Sequence, residues 1–379
     1  MSRPLDAPKL ERVRALMEEQ GLDALVVRAP DNVLYLTNFW SMKGYDACVF
    51  PRDGEPVLIC LEASAEDAAR TAWTEDVRYV RGYDEGDPRP PLARTLEAAV
   101  DAAKGYGSMG LELSLGTQAS DRMVGEPTTF TRAWFDAFPD AADAAPLLAA
   151  ARAIKTEQEV ARIRIANEIA AAAMEHVRRR LEPGMKESEA AAIWQGHVHG
   201  QGTVRDDVEL ALPFSLVWAG KGIKTFTATS DLPVTEGEPV LFEIWVCADG
   251  YWADHTKNLV VAQLRDDYQE LCDRLMRVYD DALAFIRPGA SMAELDLLVR
   301  DSLGFSPSHP ICHGIGARAH EPPYPHQAAG GTFEEGMVLA VEPGVYWDGG
   351  GGLRVEDNFL LTAAGLEKLS SFPDGVVRC

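Results

Sequence analysis

No run of about 18 uncharged apolar residues occurs in this chain, so no membrane-spanning segment is expected. The N-terminal MSRPLDAPKLERVRALMEEQ lacks the apolar stretch of a signal peptide, which makes a cytoplasmic protein the expectation. Paired cysteines are missing too. The six cysteines, at 48, 60, 247, 272, 312 and 379, form no CxxC and no disulfide framework, so reduced and mostly buried thiols are expected. Cys312 stands out only for its neighbour His313. Positive charge is scarce. The 36 Lys and Arg face 59 Asp and Glu, a net charge of −23, and such a surface repels nucleic acid and anionic lipid and favours solubility. Nucleic acid and membrane are therefore excluded as expected partners.

Ordinary globular material remains: 46% hydrophobic and 25% charged residues over 379 positions, more than one domain usually holds. Residues 8–20 have helical periodicity and stop at Gly21, and Ala24-Leu25-Val26-Val27 follows as a buried strand. Strands at 45–51 and 56–60 and helices at 62–72 and 91–104 continue an alternation that predicts an α/β domain over 1–150. The Ala- and Pro-rich stretch 137–150 marks the boundary. Thr156 and Glu159 then fit a capping box opening a helix over 157–181. LEPGMKESEAAAIW (181–194) is echoed by IRPGASMAELDLLV (286–299), each following a helix, which suggests an internal duplication. A helix at 265–286 and strands at 238–247, 251–261, 337–343 and 352–362 predict an α+β second domain over 151–379, helices covering a curved antiparallel sheet.

Five residues on these strands carry the chemistry. Glu243 and Asp254 flank the turn Ala248-Asp249-Gly250, and a hairpin there brings their carboxylates close. His313 lies in CHGIGARAHEPPYP, Glu342 in the apolar VLAVEPGVY, and Glu356 in GLRVEDNFLL. A buried carboxylate is costly unless paired or bound to a cation, and several together demand a positive centre. Four carboxylates and a histidine suit hard or borderline divalent ions such as Mn, Fe, Co or Zn. Such an ion lowers the pKa of water and makes a nucleophile at neutral pH, which is a hydrolase design.

Here the sequence resembles the superfamily of prolidases, aminopeptidase P and methionine aminopeptidases, with creatinase as a metal-free cousin. Asp254 in D-x-T-K, His313 in HGIG, His320 in HEPP, Glu342 in EPG and Glu356 in RVED match its pattern in order, and DNVLYLTNF (31–39) and RAIKTEQEVARIR (152–164) look like its segments. The resemblance implies a creatinase-type N-terminal domain and a C-terminal pita-bread domain. It implies two divalent ions (Mn, Co, Fe or Zn) bridged by Asp254 and Glu356, one completed by Glu243, the other by His313 and Glu342. Glu342 would also shuttle a proton and His320 steady the tetrahedral intermediate. The implied activity is an Xaa-Pro dipeptidase or aminopeptidase acting on a small peptide, in a homodimer to which Trp40 of one subunit contributes at the other's site.

Three departures stand out. Glu243 replaces the family aspartate, so the ion position that it serves is expected to be the weaker. Trp245 replaces a glycine on the same face as Glu243. The substrate-binding histidine of the peptidases has no counterpart: Phe226 or Thr227 falls there, and His197 and His199 lie about one helix upstream. Trp245 and Phe226, with Trp218, Tyr251 and Trp252, could line an aromatic pocket for a compact, even cationic, small molecule. The alternative activity is accordingly hydrolysis of a non-peptide C–N bond in a small metabolite, as in creatinase or ectoine hydrolase. A binding protein that has kept only the fold is a third reading, against which the matched ligands argue.

Overall fold

The computed structural model describes residues 3–40, 44–113, 128–225, 227–304, 306–347 and 351–379, and the chain forms two compact units, Met1–Arg152 and Ala153–Cys379. Phe226 lies outside the described residues.

In the first unit the elements run α1 (Ala7–Glu19), β1 (Ala24–Val27), α2 (Pro30–Thr37), β2 (Ala47–Pro51), β3 (Val57–Leu61), α3 (Ala65–Thr71), β4 (Val77–Val80), α4 (Pro91–Ala102), β5 (Met109–Leu111), α5 (Thr128–Ala137), β6 (Ala142–Asp143) and α6 (Ala145–Ala153). The strands form one mixed sheet, ordered β4-β3-β2-β1-β5-β6. Alternation along β1 explains why it is apolar throughout. Leu25 and Val27 face a core shared with α1, α2 and α6, whereas Ala24 and Val26 face a core shared with α4 and α5. The Ala- and Pro-rich stretch carries β6 and most of α6, and so belongs to this unit.

The second unit continues with α7 (Glu157–Arg178), α8 (Glu187–Val204), β7 (Ala211–Ala219), β8 (Pro239–Ala248), β9 (Tyr251–Val260), α9 (Asp266–Phe285), α10 (Met292–Leu303), β10 (Cys312–Gly314), β11 (Val338–Val341), β12 (Gly344–Tyr346), β13 (Gly352–Arg354), β14 (Asp357–Thr362), β15 (Gly365–Lys368) and β16 (Val376–Arg378). The Thr156–Glu159 capping box that starts α7 is formed in both directions. One sheet, β16-β9-β8-β7, packs under α7 and α8, and a second, β10-β11-β14-β15, packs under α9 and α10.

Two sequence expectations need refinement. The stretch 352–362 is not one strand: β13 pairs with β12, β14 with β11, and between them Glu356 makes a single bridge to Thr256 of β9. The chain changes partner there, and this bridge ties the two sheets together. Strand β7 had no clear signature because Pro213 interrupts it. As an edge strand it tolerates a residue without an N–H.

Candidate metal centre

Parity along the central hairpin decides what faces the site. On β8, Val240, Phe242, Ile244 and Val246 point into the core under α7 and α8, which turns Leu241, Glu243 and Trp245 to the opposite face. On β9, Ala253 and Leu259 point into that core, and His255 bonds Asn167 of α7 at 2.7 Å. Asp254 and Thr256 therefore share the face of Glu243. The register pairs Trp245 with Asp254 and Glu243 with Thr256, so Glu243 and Asp254 are diagonal rather than opposite neighbours.

From the other half come His313 on β10, Glu342 just after β11 and Glu356 at the bridge. Glu342 is placed by its own N–H, which donates to the Ile311 carbonyl at 2.8 Å, and Glu356 accepts from the Thr256 hydroxyl at 2.7 Å. His313 Nε2 lies 3.7 Å from Asp254 Oδ2, 3.5 Å from Glu342 Oε1 and 3.8 Å from Glu356 Oε1. His320 Nε2 lies 3.5 Å from Asp254 Oδ2, and its ring sits 4.3 Å from that of His313. The donor atoms form two groups, Asp254–His313–His320 and His313–Glu342–Glu356, and Glu243 belongs to neither.

The donor set fits a divalent cation. His313 Nδ1 lies 3.0 Å from the Gly314 carbonyl, a bond that only an N–H can make, so Nε2 carries the lone pair. That nitrogen, Asp254 Oδ2 and Glu342 Oε1 are buried without a hydrogen-bond partner in the protein, while three carboxylate oxygens crowd the nitrogen at under 4 Å. Orphaned acceptors converging in this way need a positive centre. The protonation equilibria agree. Burial, then the charges of Glu356, Glu342 and Glu243, hold Asp254 well above the usual carboxylate range. Burial and Glu356 push Glu342 up to about 8. Burial acts upward on Glu356 as well, but His313, Arg354 and the Thr256 hydroxyl pull it down to about 2.

A ring of buried groups that sequence reading missed surrounds the donors. Arg354, on the RVED strand, donates from Nε to Thr256 Oγ1 at 2.6 Å and from Nη1 to the Tyr346 hydroxyl at 3.3 Å. Its Nη2 stands 2.5 Å from Glu243 Oε2, an ion pair by distance whose angles are not those of a hydrogen bond. Tyr346 reaches His309 Nε2 at 3.1 Å, and His309 Nδ1 lies 3.2 Å from Glu342 Oε2. The only sequence signal for His309 was its position four residues before His313. Below Glu356, Lys257 clamps Asp357 at 2.5 Å and Asp374 at 2.9 Å, fixing the start of β14.

The aromatic residues divide. Trp245 lines the site, backed by Phe214 at 5.1 Å between ring centres. Trp218 packs into a small cluster with Ile223 and Leu241, and the Tyr251 hydroxyl bonds Glu159 of α7 at 2.9 Å, so these two serve the core. His197 stacks on His176 at 4.3 Å and His199 is exposed.

Comparison with known proteins decides the family. Residues 161–363 match the profile of metallopeptidase family M24, and residues 9–154 match that of the creatinase/prolidase N-terminal domain. The chain belongs to metallopeptidase family M24. It is 27% identical over 373 residues to an Xaa-Pro dipeptidase of Lactobacillus delbrueckii subsp. lactis, covering 94% of this chain and 95% of that one. It is 25% identical over 381 residues to an uncharacterised peptidase of Bacillus subtilis (strain 168), covering 97% and 99%. The fold resembles that of the prolidase from Pyrococcus horikoshii OT3, with a TM-score of 0.79 at 23% identity over 97% of this chain and 99% of that one. The protein is a metal-dependent hydrolase of the metallopeptidase type. These relatives do not favour the creatinase- or ectoine-hydrolase-like alternative.

Proposed function

We propose that this member of family M24 hydrolyses the peptide bond before proline in short Xaa-Pro peptides, with catalysis in the domain over 151–379. The observation that carries the reading is the convergence of Asp254, Glu342 and Glu356 on the bare Nε2 of His313. The Xaa-Pro dipeptidase at 27% identity supports the substrate class.

In this reading Asp254, His313, Glu342 and Glu356 hold a divalent ion (Mn, Co, Fe or Zn), and Glu243 serves the weaker of two positions. A cation so held supplies Lewis-acid activation of water. Glu342, with Oε1 bare and Oε2 against His309, moves the proton between attacking water and leaving nitrogen. His320, half-turned to solvent beside Asp254, is placed to donate to the oxygen that gains charge. Trp245 bounds the substrate and restricts its bulk. The same reading takes the protein as a cytoplasmic homodimer.

The test is hydrolysis of a panel of Xaa-Pro dipeptides, matched Xaa-Ala dipeptides and cyclic amides by chelator-stripped protein reloaded with Mn, Co or Zn. Cleavage of the Xaa-Pro set alone, abolished in His313→Ala, is expected. Cleavage of ring amides and not of dipeptides would replace this reading with the non-peptide one, and light scattering checks the dimer.

A further inference from the structure

The connection between β7 and β8 closes on a buried carboxylate that takes no part in the metal centre. Glu187, the first residue of α8, is 0% exposed. Its Oε1 accepts from the Ala219 N–H at 2.6 Å, and its Oε2 accepts from the Ser230 N–H at 2.9 Å and the Ser230 hydroxyl at 2.6 Å. Among the described residues no Lys, Arg or His pairs with it. A buried carboxylate without a counter-charge persists where several donors converge on it, and three do here. The Glu187 N–H in turn donates to the Leu232 carbonyl at 3.0 Å. One residue thus holds both ends of the connection, Ala219 where β7 stops and Ser230 to Leu232 where the chain returns towards β8. The fit is close: a Cβ on Gly222 would stand 2.6 Å from Glu187 Oε1 and 2.7 Å from Leu232 Cδ1, so the backbone passes directly over the carboxylate.

The far end of the same connection rests on the groups beside Glu342. Ile223 packs with Trp218 and Leu241, and Tyr346 packs against that cluster. The Ile223 carbonyl accepts from the Gly351 N–H at 3.1 Å, and Thr225 Oγ1 lies 3.3 Å from Ser308 Oγ. Ser308 precedes His309, whose Nε2 meets the Tyr346 hydroxyl and whose Nδ1 meets Glu342. The connection therefore touches both chain segments that flank Glu342, and Glu187 anchors it from the opposite end.

We propose that Glu187 is a positioning residue for the reaction: it clasps Ala219 and Ser230 together, so that Ile223 and Thr225 stand as a fixed wall of the substrate site against Tyr346 and the segment of His309. The inference rests on the hydrolytic reading above for its kinetic part. It separates substrate from metal, because the bonds of Glu187 run to Ala219, Ser230 and Leu232 and to none of the metal donors. Loss of the clasp weakens the hold on substrate and leaves the ion in place.

Two readouts on the full chain test this. Lys221 and Lys224 are exposed in the connection, so limited trypsin digestion reports how firmly it is held. Glu187→Ala should be cut at these two bonds about ten-fold faster than the parent, with cleavage elsewhere unchanged, since it loses hydrogen bonds to a charged acceptor. Loaded with Mn2+, the same variant should show KM raised about ten-fold on the amide that the parent cleaves best, with kcat and Mn2+ affinity little changed. Glu187→Gln, which keeps the volume and one acceptor oxygen, should recover part of both losses. Ser230→Ala, at an exposed residue, removes one of the three donors and should move both readouts the same way by a smaller factor. If Glu187→Ala does not fold, Ser230→Ala decides. Unchanged digestion, faster digestion with an unchanged KM, or Mn2+ affinity falling together with substrate affinity would each overturn the proposal. Parent activity on Xaa-Pro dipeptides tests the peptide reading separately, because the ratio of variant to parent is taken on whichever amide is cleaved. If the parent cleaves none, digestion decides alone.

Discussion

Replacing Lys155 by methionine should destabilise the second unit more than any surface change, and the structure sets the size. Lys155 Nζ and Glu321 Oε1 form an ion pair at 2.9 Å, with side chains 0% and 2% exposed. Lys155 precedes the cap of α7, and Glu321 follows His320, so the pair ties the start of the domain to the loop that presents His320. The Glu321 N–H donates to the Gly314 carbonyl at 2.9 Å, and Gly316 packs so closely that a Cβ there would stand 2.5 Å from Glu321 Oε1. Water therefore cannot easily replace the lost ammonium. Removing one partner of a buried ion pair costs about 3–5 kcal/mol. Against a typical total of about 5–15 kcal/mol that is a large fraction. Replacing both partners, Lys155→Met with Glu321→Gln, removes the second buried charge as well and should recover most of the loss. Urea unfolding of the full chain, followed through the transition of the C-terminal unit, gives the four corners of a double-mutant cycle. A single variant losing less than about 1 kcal/mol, or a double variant no better than the single, would refute the reasoning.

The metal-free protein should lose stability as pH rises from about 5 to 8.5. Glu342, held at about 8 by burial and Glu356, keeps in the folded state a proton that the unfolded chain releases near 4.5, so its contribution is full below 4.5 and gone above 8. The shift corresponds to an effect on the order of 5 kcal/mol. Asp254, raised by burial and the same neighbours, acts in the same direction, whereas Glu356, held at about 2, acts only below this window. Thermal melts of chelated protein should show the decline and Mn2+ should abolish it; a flat or rising profile without metal would contradict the site's electrostatics. Gly314→Ala should unfold the HGIG loop, because its Cβ would stand 2.5 Å from the Pro322 carbonyl oxygen and 2.7 Å from its carbon, both backbone atoms. Loss of Mn2+ binding with retained far-UV helicity is expected, and unchanged metal affinity would argue against this packing. Lys257→Met, which leaves the buried Asp357 with Lys368, Ser370, His255 and the Asn358 N–H, should cost several kcal/mol by the same buried-charge argument. A denaturation midpoint unchanged from the parent would exclude that role.

Periodicity and local chemistry determined much of this protein before any coordinates. The strand Ala24–Val27, the helix opened by Thr156 and Glu159 and the hairpin of β8 and β9 follow from apolar runs, a reciprocal cap and a tight turn, each settled within a dozen residues. The order of Asp254, His313, Glu342 and Glu356 in apolar strands carried the metal-site hypothesis for a related reason: a charge in a buried run must find a counter-charge. Tertiary structure alone decided the rest, because it turns on which side chains meet across segments far apart in the chain. Arg354 looked like part of a strand motif until its approach to Glu243, 111 positions earlier (354 − 243), gave it a partner. His309 was a lone histidine beside a proline until the fold set it against Glu342 and Tyr346. Burial makes these charges consequential, and burial belongs to the packed molecule, not to any stretch of its sequence.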